Sequence, residues 1–131
     1  ETEEDIDELI ALTEELSAMV PVALGLSPLV PKLHTPLGDA EFYGVRPLER
    51  RLKRLKKSLG GVAEVRSTSA RWAWVEYRLS QGGQDAGLAA YEAWRAGGRF
   101  ADYKRALEGT EERLALHAAA RHNLWRPAGM K

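Results

Sequence analysis

Five side chains able to hold or protonate a ligand fall in two short stretches. Lys32, His34 and Thr35 lie between Pro31 and Pro36, and Arg66 and Thr68 follow further along the chain. Lys32 and Arg66 could together hold an anionic group such as a phosphate through charge-assisted hydrogen bonds, and His34 could donate or accept a proton. Thr35 and Thr68 complete the candidate set. The plainer reading of the same residues is a solvated Lys32, a His34 that ties its loop to a backbone carbonyl, and an Arg66 paired with Glu64 or a helix end.

Several chemistries are excluded outright. The chain contains no cysteine, so disulfides, zinc–thiolate sites, thiol nucleophiles and iron–sulfur ligation by this chain alone are ruled out. His34, His117 and His122 do not make a metal site: the last two stand five apart on one expected helix, and no carboxylate sits at a metal-ligating spacing. We expect no metal and read these histidines as surface or helix-packing residues. Glu111 and Glu112 fall in a helix first turn, where carboxylates are stabilised by the helix dipole without doing catalysis. There is no Gly-x-x-x-x-Gly-Lys loop, no Gly-x-Gly-x-x-Gly and no Gly-x-Ser-x-Gly, so nucleotide hydrolysis and serine-hydrolase chemistry find no support.

The net charge is zero, with 19 basic and 19 acidic residues, but it is sorted along the chain. Residues 1–17 carry acidic side chains and no basic one, whereas between Arg46 and Lys57 the only acid is Glu49. A basic helix over residues 46–59 could track a phosphate backbone or contact a protein partner. That use is the less favoured, because a leucine seam explains one face, a solvated outer face explains the charge, and no aromatic residues interleave the basic ones. Trp72, Trp74, Tyr77, Tyr91, Trp94, Phe100 and Tyr103 form an aromatic-rich run whose expected use is burial in a helical core.

These residues are positioned by a recognisable series of elements. Thr2 and Asp5 match a capping box, and Ile6, Leu9, Ile10, Thr13 and Leu16 give one buried stripe on a helix over residues 3–17. Prolines at Pro21, Pro28 and Pro31 disfavour helix next, so a short buried strand over residues 22–26 and a loop over 27–44 are expected. Pro47 opens a second helix over 46–59, closed by Gly60 and Gly61, with Leu48, Leu52, Leu55 and Leu59 as its seam. Alternation over 62–66 marks a second strand. Strand, helix, strand is a βαβ unit, whose parallel strands end on the same edge of the sheet. The remainder reads as helices: Ser69 capping 70–80, Asp85 capping 86–96, one over 100–107, and Thr110 capping one to about 122, with a frayed tail from Trp125.

At 131 residues and 44% hydrophobic side chains the chain can bury one core of ordinary size. No apolar run approaches the roughly 20 residues that cross a bilayer, and no secretory signal opens the chain. A cytoplasmic location is expected. The first helix begins almost at residue 1 and no Met precedes it, which leads us to expect a fragment of a longer polypeptide.

Three stretches carry a family resemblance. Glu1-Thr2-Glu3-Glu4-Asp5 and the acidic helix after it resemble the segment that follows a Gly-Leu-Pro-x turn in radical S-adenosylmethionine (radical SAM) proteins. Leu29-Val30-Pro31-Lys32-Leu33-His34-Thr35-Pro36-Leu37 is similar to the V-P-K-P-H-T-P-F stretch of cobalamin-linked and related members, departing from it at Leu33 and Leu37. Ala93-Trp94-Arg95-Ala96-Gly97-Gly98-Arg99-Phe100-Ala101-Asp102 resembles an A-W-x-x-G-x-R-F-D pattern of the same family.

The resemblance implies that the parent is an open (β/α) barrel with a Cys-x3-Cys-x2-Cys loop binding a 4Fe–4S cluster that cleaves S-adenosylmethionine, and that this loop lies outside the chain. The expected fold is therefore α/β: residues 1–68 as a partial (β/α) barrel remnant with parallel strands, and residues 69–131 as a helical extension. In that setting Lys32, His34, Thr35, Arg66 and Thr68 become candidates for binding a substrate or the carboxylate of S-adenosylmethionine. The chain by itself is expected to bind no cofactor, to have the upstream part of the same polypeptide as its partner, and to be able to self-associate through an exposed barrel edge. The alternative is an independent module contacting RNA or a protein through the basic helix 46–59.

Overall fold

The computed structural model describes residues 2–110. The expected helix to residue 122, His117, His122, Glu111, Glu112 and the tail from Trp125 lie outside the described residues. The elements run α1 (Glu3–Met19), β1 (Ala23–Leu26), α2 (Val45–Ser58), β2 (Glu64–Ser67), α3 (Ala70–Gln81) and α4 (Gln84–Arg95), and residues 100–110 are helical as well. Two compact units divide at Tyr77 and Arg78, inside α3. The first turns of α3 are fastened to the first unit by Arg71–Glu49 at 3.0 Å, Lys32–Glu76 at 2.7 Å and a Phe42–Tyr77 ring stack at 5.2 Å.

The chain is mixed helix and strand, and its two strands are parallel, with Leu24 opposite Val65 and Leu26 opposite Ser67. Parallel neighbours require a crossover, and α2 supplies it. Both strands are four residues long, and β2 begins two residues later than the alternation of 62–66 suggests. The reason is the end of α2: Val62 and Ala63 still donate their amides to Leu59 O, at 3.0 and 3.1 Å, so the ladder opens only at Glu64 N to Val22 O. Gly61, at φ 83, makes that reversal possible.

One face of this strand pair is covered. Ile6 of α1 and Leu55 and Leu59 at the end of α2 are buried, and Leu9, Ile10, Leu24, Leu26 and Val65 pack around them. Each buried leucine contributes roughly 1.5–3 kcal/mol, more than the 0–1 kcal/mol typical of an exposed ion pair. The seam therefore holds α1 and α2 together, and charge decides their alignment. Arg51 is 9% exposed, donates from Nε to Glu3 at 3.1 Å and lies 4.5 Å above the Tyr43 ring. Arg54 reaches both Glu3 and Asp7. The acidic helix lies beside the basic one.

Local caps follow the sequence closely in α1, where Thr2 and Asp5 form the expected capping box. In α4 they do not. Its N-cap is Gly83 with no side-chain cap, and Asp85 sits in the first turn. The other end of α4 closes on Gly97 and Gly98, whose amides donate to Trp94 O and Ala93 O in a Schellman arrangement.

The second unit is built on small residues. Ala86, Ala89 and Ala93 of α4 and Leu107 are buried, and Arg78 donates to Leu107 O at 3.3 Å. Of the aromatic run, Trp74, Tyr77, Phe100 and Tyr103 are half-buried, but three members are exposed, contrary to expectation. Trp72, on α3 of the first unit, is 47% exposed; Tyr91 and Trp94 are 56% and 66% exposed, because alanines occupy the buried stripe of α4 and leave these two stacked on each other outside it.

The hydrogen bond from Arg51 holds the Glu3 carboxyl below its ordinary value of 4.5, against a smaller opposing effect of burial. Its contribution to stability is then complete above pH 4.5 and is lost as pH falls through the depressed folded-state value. Thermal melts in acid should show a shallower decline below pH 4.5 for Glu3→Gln than for the native sequence. Parallel curves would contradict the pairing.

Candidate functional site

The carboxyl ends of both strands open onto one groove of about 690 Å³. Ser27, Pro28 and Leu29 leave β1 on one side, and Thr68 and Ser69 lead from β2 into α3 on the other. Trp72 and Glu76 stand on α3 one turn apart and face the same space, and Lys32 closes the far side through its 2.7 Å ion pair with Glu76. Thr68 N donates to Leu26 O at 3.0 Å, which extends the ladder to the edge of the groove and fixes the spacing of its walls. Ser69 Oγ accepts from Trp72 N at 3.5 Å, the expected cap of α3 in a long form.

Of the five residues singled out from the sequence, Lys32 and Thr68 are brought together here. The other three are not among the groove's walls. His34 sits in an exposed turn with φ 63, a left-handed conformation uncommon for a side-chain-bearing residue. Its side chain makes no hydrogen bond among the described residues, so the tie expected of it falls to its neighbour: Thr35 Oγ1 donates to Lys32 O at 2.7 Å, and Gly38 N to Thr35 O at 2.9 Å. Arg66 makes the pairing foreseen for it, with Nε and Nη2 at 2.8 and 2.9 Å from the two Glu64 oxygens. Lys32 and Arg66 each pair with a carboxylate of their own, Glu76 and Glu64, and only Lys32 lines the groove.

Arg66 and Glu64 instead stand on the sheet face that α1 and α2 leave open. Their register partners there are Gly25 and Ala23, and nothing lies within 4 Å of a methyl placed on Gly25. The result is a charged pair above a floor of small residues. Among the described residues no group of three or more His, Asp or Glu side chains could hold a metal ion.

The sequence reading missed Trp72 and Glu76 as groove residues. Ser69, Trp72 and Glu76 recur at steps of three and four, a spacing that puts them on one face of α3, and that period is the signal that locates them. The groove brings together hydroxyls, an indole and an ion pair. Such a set can bind and orient a polar ligand. It contains no nucleophile hydrogen-bonded to a base.

No family model, curated protein or solved structure matches the chain. No helix among the described residues is long and apolar enough to cross a membrane.

The Lys32 side of the groove depends on a tight turn. Gly38 is buried, and a methyl group there would stand 2.7 Å from Lys32 O and 3.1 Å from Thr35 O. These are backbone atoms that cannot swing aside. Gly38→Ala should destabilise the first unit by roughly 1–3 kcal/mol, read as a lower urea midpoint. An unchanged midpoint would mean that the turn is free to rearrange.

Proposed function

We propose that the chain is the carboxy-terminal wall of a radical SAM-type (β/α) barrel, with a helical extension following its last strand, and that the parent polypeptide is a cytoplasmic enzyme. The observation that carries this reading is the one-sided burial of a parallel βαβ unit. Helices cover a single face, while the face bearing Ala23, Gly25, Glu64 and Arg66 and both outer strand edges have no partner strand among the described residues. In a barrel that arrangement is what any adjacent strand pair presents: helices outside, an inward face, and neighbours on both sides. The groove at the strands' carboxyl ends then belongs to the rim where barrels of this kind bind their ligands.

In this setting Lys32 and Thr68 line the rim, and Glu64 and Arg66 project a paired charge toward the lumen. Their role is to bind and orient a polar substrate and to exclude water. His34 and Thr35 shape the loop outside the groove. The cluster that the family uses does not fit the residues present, because iron–sulfur ligation needs thiolates and the chain has none. No step of the chemistry is assigned to this chain. Its open edges and exposed Val20, Leu29 and Val62 also favour self-association when the missing strands are absent.

Two anaerobic reconstitutions with iron, sulfide and S-adenosylmethionine test the proposal. This chain should bind no cluster and release no 5'-deoxyadenosine, whereas the longest polypeptide encoded continuously with it should do both. A longer polypeptide without three closely spaced cysteines, or one inert in the assay, would overturn the reading.

A further inference from the structure

The basic helix α2 has two sides, and the first unit uses only one of them. Arg51 and Arg54 turn toward α1 and are taken up by Glu3 and Asp7. Arg46, Arg50, Lys53 and Lys57 recur at steps of four, three and four, which aligns them in one stripe along about 16 Å of helix. All four are exposed, and none pairs with a carboxylate among the described residues. Lys56, exposed as well, lies further round the same outer face. The helix's single acid, Glu49, is engaged by Arg71 at 3.0 Å and so does not neutralise the stripe.

We infer that this stripe is a docking surface for the sugar–phosphate backbone of a double-helical nucleic acid. Charge complementarity requires a polyanion, and the composition of the stripe selects among polyanions. Protein interfaces bury an apolar centre and are depleted in lysine. This stripe has no apolar member, and its charge is carried by lysine and arginine alone, the character of a phosphate-contacting surface. Single strands are held by aromatic stacking, and the stripe has no aromatic residue. What remains is sequence-independent recognition of regularly placed phosphates, which needs only cations at intervals on a rigid rod. The inference stands apart from the barrel reading: it concerns the outward side of α2, away from the sheet and its groove.

Fluorescence anisotropy with the whole 131-residue chain and labelled RNA and DNA duplexes tests it, with poly-glutamate as the competing acidic polypeptide. Four phosphate contacts predict that affinity falls about 100-fold between about 50 and 200 mM salt. Arg50→Gln with Lys53→Gln should weaken binding at least about tenfold and reduce the salt slope by about two. The control Lys104→Gln with Arg105→Gln removes the same charge from the second unit and should leave affinity within about twofold. Circular dichroism confirms that both doubly substituted chains remain folded. A stronger response to RNA than to DNA, or the reverse, identifies the source of the backbone and supports the inference. Equal losses for both pairs, no binding to either duplex at low salt, or tighter binding of poly-glutamate would overturn it.

Discussion

A parallel strand pair cannot be closed by a tight turn, and everything in the first unit follows from that constraint. The chain must travel back along the sheet between Leu26 and Glu64 before the second strand can begin, and the return path is a helix whose leucines need somewhere to go. They go to one face. Leu55 and Leu59 meet Ile6 of α1 over Leu24, Leu26 and Val65, and the salt links of Arg51 and Arg54 to Glu3 and Asp7 then select one alignment of the two helices. Burial supplies the larger free energy here, and the charges supply the register.

The same constraint places the groove. Because the strands are parallel, their carboxyl ends share a rim, and the segments leaving them must diverge. Ser27–Leu29 turns into a proline-bounded loop, whereas Thr68 and Ser69 enter α3 directly. A gap opens between them, and Lys32 and Glu76 bridge it. The buried Pro31 and the Gly38 turn fix the loop that carries Lys32. The position of the candidate site is thus a consequence of topology, while its chemistry depends on which side chains happen to stand at the divergence.

What could be read from the residues divides along physical lines. The capping box of α1, the leucine seam of α2 and the glycine stop after α4 were legible because each depends on spacing within a few residues. The Arg66–Glu64 pair was foreseen as the plainer alternative for the same reason. Pairings across the sheet and loop were not legible: nothing local announces that Lys32 meets Glu76 or that Arg71 meets Glu49. The exposure of Trp72, Tyr91 and Trp94 was not legible either, because hydrophobic content alone does not say which face of a helix is buried. In α4 the alanines at 86, 89 and 93 form the inward stripe, and Tyr91 and Trp94 fall outside its angular range. The start of β2 was misplaced because alternation in the sequence does not reveal how long the preceding helix end keeps its amides engaged.

The proposed barrel wall requires β1 and β2 to be interior strands of a larger sheet. Glu64 N and Thr68 N bond toward β1, so the alternation of a strand turns the amides of Val65 and Ser67 to the outer edge; in β1 the corresponding outward amides belong to Ala23 and Gly25. Residue-resolved hydrogen exchange, on this chain and on the longer polypeptide proposed to contain it, reads those four amides directly. The account predicts fast exchange in the chain alone and strong protection in the longer polypeptide, where neighbouring strands pair with them. Fast exchange at the same four positions in both would show that no strand adjoins either edge, and would contradict it.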